Sequence, residues 1–294
     1  MDISTRGRGA LLTALALLSF LSVLNSLCAP FGAESAGVFT IVNQCKTTIW
    51  PAAFPGESFG GGGFELRPGQ SRVFTVKGGW SGRIWGRTDC SFDKSGNGSC
   101  ATGACGSSLK CGASGDPPAS LAEFTLAAGA KDFYDVSLVD GFNLPMVVAP
   151  VNGAGNCSAA GCAGDLRSSC PPELAVKAHG RTVACRSACD VFGTDQYCCR
   201  GQHGSPSTCK PTVYSKKFKA ACPTAYSYAY DDPSSLFTCS NADYVITFCA
   251  NRKKPTCYYH IDRLICSGSS RPWPVVFILV LVLLFSFQIL EFSV

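Results

Sequence analysis

The sequence predicts a secreted, mainly β domain stapled by disulfides. Three features carry that expectation: several runs alternate apolar and polar residues with a period of two, the chain holds 19 cysteines, and it opens on a basic residue pair followed by an apolar run.

Arg6 and Arg8 precede the nearly all-apolar Ala10–Leu24, and small residues follow at Ala29, Ala33, Ser35 and Ala36. This is the pattern of a secretion signal, expected over residues 1–36. Cleavage at Ala29 or later removes Cys28 and leaves 18 cysteines of the 19. An even number in an oxidising compartment reads as a disulfide framework. The spacings are irregular, and only His179, His203 and His260 could join a Cys/His zinc set, so neither metal nor cofactor is expected.

Gly37–Trp50 is β-rich and begins the folded part, and Pro51–Gly63 is a Gly/Pro loop. Phe64–Gln70 and Ser71–Val76 alternate as strands do. Gly82–Arg87 is a further strand, with Arg83, Trp85 and Arg87 on one face. Cys90–Cys111 packs four cysteines into small loops. Ser107–Lys110 within it fits the SxxK acyl-enzyme pattern, but that chemistry needs the serine at the start of a helix, so the match is read as chance. Asn97-Gly98-Ser99 and Asn156-Cys157-Ser158 are glycosylation sequons, the second less usable because of its central cysteine.

Leu121–Leu126 and Asp132–Val139 read as two strands joined by a turn at Gly129, where a glycine accepts positive φ. A hairpin centred there sets Glu123 opposite Asp135, and Asp140 follows at the strand end. A slip of one residue would put the two carboxylates on different faces. In register, like charges directly opposite repel, so the pair needs water, a cation or a function.

Residues 151–222 are cysteine-rich and poor in long apolar runs, as expected of a lobe whose small core needs covalent help, with a short helix at Pro172–Lys177. Thr224–Asp232 and Asn241–Ala250 return to strand and turn character, and Asp231-Asp232-Pro233 adds an acidic turn. No GxSxG, HExxH or Walker motif occurs.

The chain carries 25 Lys+Arg against 20 Asp+Glu; without Arg6, Arg8 and Arg271, and without Asp2, Glu34 and Glu291, the balance is 22 against 17, still +5. That excess suits anionic surfaces. No long basic block points to nucleic acid; Lys216, Lys217 and Lys219, and Arg252–Lys254, read as solvated faces. A stalk is expected over 253–270. Residues 271–294 hold the apolar Val275–Leu290, with no Lys or Arg after it. Small residues, a spacer and an apolar tail fit a GPI-attachment signal, and a single transmembrane segment is the alternative. Either holds the protein at the outer face of the plasma membrane or cell wall.

Ile41–Cys45, Trp85–Cys90, Leu121–Phe124, Asp135 with Ser137, Asp140–Asn143, Tyr197–Cys199 and Phe248-Cys249 together resemble the thaumatin-like family, the pathogenesis-related proteins of the osmotin and thaumatin type. The resemblance implies an antiparallel β-sandwich core with two smaller disulfide-rich lobes. The sandwich would take about 37–88, 113–150 and 223–252, the small lobe 89–112, and the larger lobe 151–222. It also implies the pairs Cys45–Cys249, Cys90–Cys100, Cys105–Cys111, Cys157–Cys239, Cys162–Cys222, Cys170–Cys185, Cys189–Cys198 and Cys199–Cys209. Cys257 and Cys266 remain, and are expected to pair with each other. Ala104 and Ser107 depart from the family signature, which has Asp and Gly there.

The family's acidic cleft implies a site of Arg83, Glu123, Asp135 and Asp140, with the last place at Asp231 or Asp232. Phe92 or Phe142 would supply an aromatic neighbour. The resemblance further implies a monomeric defence protein that binds β-1,3-glucan or another cell-wall polysaccharide and is antifungal. Two alternatives are a weak endo-β-1,3-glucanase, with Glu123 as acid and Asp140 as partner carboxylate, and a hydrolase inhibitor or structural wall protein.

Overall fold

A computed structural model describes residues 36–250 and two further strands, 257–260 and 263–266. In chain order the strands are β1 (Ala36–Asn43), β2 (Trp50–Phe54), β3 (Ser71–Lys77), β4 (Ser81–Arg87), β5 (Ser91–Phe92), β6 (Gly98–Ser99), β7 (Leu121–Thr125), β8 (Lys131–Ser137), β9 (Met146–Val151), β10 (Ala160–Cys162), β11 (Ala175–Ala178), β12 (Arg181–Cys185), β13 (Phe237–Ser240), β14 (Asp243–Phe248), β15 (Cys257–His260) and β16 (Arg263–Cys266). Among the described residues, four short α-helices join them: α1 (Ala188–Phe192), α2 (Asp195–Cys198), α3 (Val213–Ala221) and α4 (Asp232–Ser235).

Two five-stranded sheets, ordered β10-β9-β14-β1-β3 and β13-β8-β7-β4-β2, form the sandwich. Alternation decides what lies between them: Phe39 and Ile41 of β1 and Tyr244 and Ile246 of β14 meet Ile84, Ala122, Phe124, Tyr134 and Val136 of the second sheet, all buried. Phe39 and Tyr244 approach Phe124 with ring centroids at 4.9 and 5.1 Å. The Tyr244 hydroxyl donates to buried Asp132 Oδ2 at 2.8 Å, and the Ala127 amide donates to Oδ1 at 2.9 Å, so this inward carboxylate is satisfied across the sheets.

The sandwich departs from antiparallel order at one pair: β1 and β14 run parallel, with Asn43 level with Phe248. Each strand is followed closely by a cysteine, and Cys45 bonds Cys249 there. The small lobe is closed by Cys90–Cys100 and Cys105–Cys111. Cys157–Cys239 and Cys162–Cys222 tie the larger lobe to the sandwich side, and Cys170–Cys185, Cys189–Cys198 and Cys199–Cys209 staple it internally.

Three local expectations give way. Residues 64–70 form only isolated bridges, Leu66 to Ile49 and neighbouring Gly63 to Ala52, because the Pro68-Gly69 turn ends the run and Phe64 and Leu66 are used as core. The helix expected at 172–177 is one 3₁₀ turn, Pro172–Leu174, after which the chain pairs as β11 with β12. Lys219 is not solvated like its exposed neighbours Lys216 and Lys217. Thr212 caps α3 through the Ser215 amide, with Ser215 returning the bond, and the helix turns Lys219 inward. Its ammonium donates to Ala225 O (2.9 Å) and Ser235 Oγ (2.8 Å) and pairs with Asp231 (3.0 Å).

Asn97 is exposed in the β5–β6 turn, and Asn156 is exposed beside disulfide-bonded Cys157. Ala104 O accepts from the Asp116 amide at 2.6 Å, and Ser107 O accepts from the Gly98 amide at 2.9 Å, so the backbone at both departures from the signature is bonded. Backbone register sets Cys257 opposite Cys266 on β15 and β16; their expected bond lies outside the described side chains. The expected secretion signal and C-terminal tail also lie outside the described residues. Among the described residues, no helix is long and apolar enough to cross a membrane.

Candidate functional site: an acidic row at the edge of the covered sheet

The outer face of the second sheet is half covered. Trp85 and Leu121 point outward from β4 and β7 but are buried, with Ala119 and Cys111, beneath the small lobe. Arg87, fully buried, holds that cover in place by donating to Trp50 O, Ser108 O and Leu109 O at 3.0, 3.2 and 2.8 Å. Two residues back along β4, and two residues on along β7, the cover ends. Arg83 and Glu123 therefore share the outward face with Trp85 and Leu121 yet sit at the rim of the lobe.

Register then places a row across three strands. Arg83 is level with Glu123, and Glu123 is level with Asp135. The turn at Gly129, with φ +82°, gives the register that keeps both carboxylates on one face. Phe54 of β2 continues the row on the far side of Arg83. Arg83 Nη2 pairs with Glu123 Oε1 at 2.9 Å, and Nη1 donates to Ser114 Oγ at 3.2 Å. The row lines a groove of about 640 Å³, whose walls include Phe54, Phe133 and Leu236. Phe133 is 46% exposed there, an outward aromatic of β8 with no cover.

Asp140 lies beyond β8, within a turn closed by the Gly141 amide on Leu138 O (3.0 Å). Gly141 has φ +92°, and a Cβ there would meet Cys185 O and Pro118 at 2.7 Å, so only glycine allows the chain to pass. Asp140 borders a second hollow of about 410 Å³ between sandwich and larger lobe, shared with Tyr228, Tyr197 and Arg200.

The acidic turn divides its two residues. Tyr226 joins the end of β8, its amide donating to Val136 O and its carbonyl accepting from Leu138, at 2.8 and 2.9 Å. Its hydroxyl donates to Asp232 Oδ1 at 3.0 Å. Asp231 is buried instead, taken up by Lys219 and by the amide and hydroxyl of Ser227 at 2.9 and 2.8 Å. Asp232 is exposed and close enough to Asp135 to act on its charge.

Burial raises the proton affinity of Glu123, Arg83 opposes the shift, and the Asp140 charge adds to it. Asp135 is pushed up to about 8, first by burial and then by Glu123, with Arg83 opposing and Asp232 adding. Its Oδ1 is sealed from solvent and has no hydrogen-bond partner. Burial and the bond to Asp232 also push the Tyr226 hydroxyl up.

The structure thus aligns Arg83, Glu123 and Asp135, brings Asp140 and Asp232 within electrostatic reach, and assigns Asp231 to an internal pair. Phe142 is fully buried in the core, its amide and carbonyl paired with Cys185, and offers the groove nothing. Phe92 lies in the small lobe against the Arg87 guanidinium, 5.4 Å from its ring centroid. The aromatic neighbours are Phe54, Phe133, Tyr226 and Tyr228, which sequence reading passed over. The alternation Tyr226-Ser-Tyr228-Ala-Tyr230 directly before the Asp pair was the available signal. Among the described residues, no group of three His, Cys, Asp or Glu side chains could hold a metal ion.

The thaumatin family model matches residues 43–250. Pathogenesis-related thaumatin-like protein 3.5 of Cryptomeria japonica is 61% identical over 225 residues, covering 74% of this chain and 93% of the relative. Pathogenesis-related protein 5 of Arabidopsis thaliana is 56% identical over 214 residues, covering 72% and 89%. Among solved structures, the thaumatin-like xylanase inhibitor TLXI aligns at 28% identity with a TM-score of 0.40, over 72% of this chain and 99% of the inhibitor. With the sandwich, its two stapled lobes and the matched residues in hand, the chain belongs to the thaumatin family.

Proposed function

We propose that this is an extracellular plant defence protein that binds β-1,3-glucan or a related cell-wall polysaccharide along the Arg83–Glu123–Asp135 groove. The row itself carries the reading. It offers a guanidinium donor, carboxyl groups and flanking aromatic faces in an open trough, which is the mixture a chain of sugar hydroxyls needs. The names of the two curated relatives, both pathogenesis-related, support the defence role. The apolar run Val275–Leu290 would hold the protein at the cell surface as a GPI signal or a span.

Hydrolysis is the second reading, favoured by one observation: burial and Asp140 both raise the proton affinity of Glu123, as an acid catalyst requires. One experiment separates the readings. The secreted form, 37–267, and its Glu123→Gln variant are tested for retention on insoluble β-1,3-glucan and for release of reducing sugar. Retention without release supports binding. Release that disappears in Glu123→Gln while retention survives supports the enzyme. Absence of both retires the groove as a glucan site.

A further inference from the structure

Four carboxyl groups, those of Glu123, Asp135, Asp140 and Asp232, come within electrostatic reach of one another around β7 and β8, and the described cations near them are already engaged. Arg83 pairs with Glu123 and donates to Ser114. Lys219 pairs with Asp231 and donates to Ala225 O and Ser235 Oγ. The Tyr226 hydroxyl is given to Asp232. Asp135 is level with Glu123 on the next strand, one strand farther from Arg83. Its Oδ1 is buried without a donor.

We propose that Asp135, rather than Glu123, carries the proton of the row and turns it toward the groove as a hydrogen-bond donor to a neutral, hydroxylated ligand. Two carboxyl groups that share one guanidinium do not ionise alike; the one nearer the cation ionises and its neighbour keeps the proton. A sealed anionic oxygen with no donor is far more costly than a sealed carbonyl oxygen. Protonation on Oδ2 turns Oδ1 into that carbonyl. Oδ2 is also the carboxyl oxygen left to meet the groove, which Asp135 lines.

The groups facing Asp135 agree. β7 contributes Glu123, β4 contributes Arg83, and the segment over the end of β8 contributes Asp232 and Tyr226. The nearest residues of the β13 side, Leu236 and Phe237, are uncharged. Burial and the two acidic neighbours outweigh Arg83 and move the Asp135 midpoint to about 8. The ligand class rests on the polysaccharide reading above, whereas the location of the proton does not.

The test has two arms, both on protein purified from cells expressing the full-length chain. The first follows side-chain carboxyl signals by ¹³C NMR from pH 3 to 10, with Asp135→Asn identifying the Asp135 resonance. A midpoint near 8 is expected; a midpoint in the ordinary range near 4 overturns the proposal. The second measures retention on insoluble β-1,3-glucan. Wild type should bind about tenfold more weakly at pH 9 than at pH 6, one unit above the midpoint leaving about a tenth of the donor. Asp135→Asn, which keeps an N–H donor but cannot ionise, should bind to the same extent at pH 6 and at pH 9. Asp135→Leu should bind weakly throughout, with thermal unfolding confirming that both variants fold. A wild-type profile flat with pH, or the same profile in Asp135→Asn, overturns the donor role. A midpoint near 8 without retention at any pH upholds the proton on Asp135 and retires the polysaccharide reading.

Discussion

Arg83 and Glu123 are level on neighbouring strands, and their side chains meet at 2.9 Å where the small lobe stops covering the sheet. About a third of each side chain remains exposed, at 35% and 32%. Water therefore screens the pair, and its contribution to stability is small even though its contribution to the charge of the groove is large. A double-mutant cycle with Arg83→Ala and Glu123→Ala should give a coupling of about 0.5–1 kcal/mol by urea unfolding at low salt, fading as salt is added. A coupling above about 3 kcal/mol would mean the pair is effectively buried.

Lys219 and Asp231 form the drier pair, with 25% and 11% of the side chains exposed. Lys219→Met should lower stability by about 3 kcal/mol by leaving Asp231 without its cation, whereas Lys216→Met on the exposed face should stay within about 0.5 kcal/mol. Adding Asp231→Asn to Lys219→Met should recover part of the loss in the same urea experiment.

Asp135 ties folding to pH. Its folded midpoint, about 8, lies above the ordinary aspartate value near 4. Between these values the unfolded chain releases a proton that the folded protein keeps, so this residue lowers stability as pH rises from about 4 to about 8. Asp135→Asn removes the difference. The variant should match wild type in thermal unfolding at pH 4 and exceed it at pH 8, at fixed ionic strength. A constant offset between the two proteins across that range would contradict the shift.

Asp140 tests the groove through charge rather than shape. Asp140→Glu should preserve most glucan retention and Asp140→Lys should remove most of it, because the carboxylate acts on Glu123 through space. Equal retention by both variants would place the glucan elsewhere.

The C-terminal tail makes a separate prediction. With a GPI anchor, a phosphatidylinositol-specific phospholipase should release the protein from cells into the medium. Protein that stays with the membrane after this treatment favours a transmembrane span.

The central hairpin was legible because both of its signals are local: alternation fixed the faces of Glu123 and Asp135, and Gly129 centred the turn. The choice between Asp231 and Asp232 was not, because it depends on where α3 aims Lys219, and the one-residue offset between the two is invisible to pattern. Phe142 misled for a similar reason. An aromatic beside an acidic motif suggests a sugar platform, but its backbone is bonded to Cys185 of the larger lobe and its ring fills the core. The cysteine pairs could not be read from spacing, and came from the resemblance. The resemblance, through Cys45–Cys249, tied the ends of the first and last strands, but the parallel direction of β1 and β14 escaped both routes, since strand direction across so long a separation leaves no local trace.

That parallel pair sets an order on the making of the protein. β1 is the first strand of the domain to be synthesised, and its neighbour β14 is among the last, with Cys45 and Cys249 separated by 204 positions. The first sheet cannot close during translocation, and Cys45 stays without its native partner until nearly the whole domain has entered the oxidising compartment. Cys105–Cys111 and Cys189–Cys198, separated by 6 and 9 positions, can close as soon as each loop emerges. The small lobe and the staples of the larger lobe can thus mature while β1 waits, and among the described disulfides Cys45 is the thiol that waits longest for its native partner.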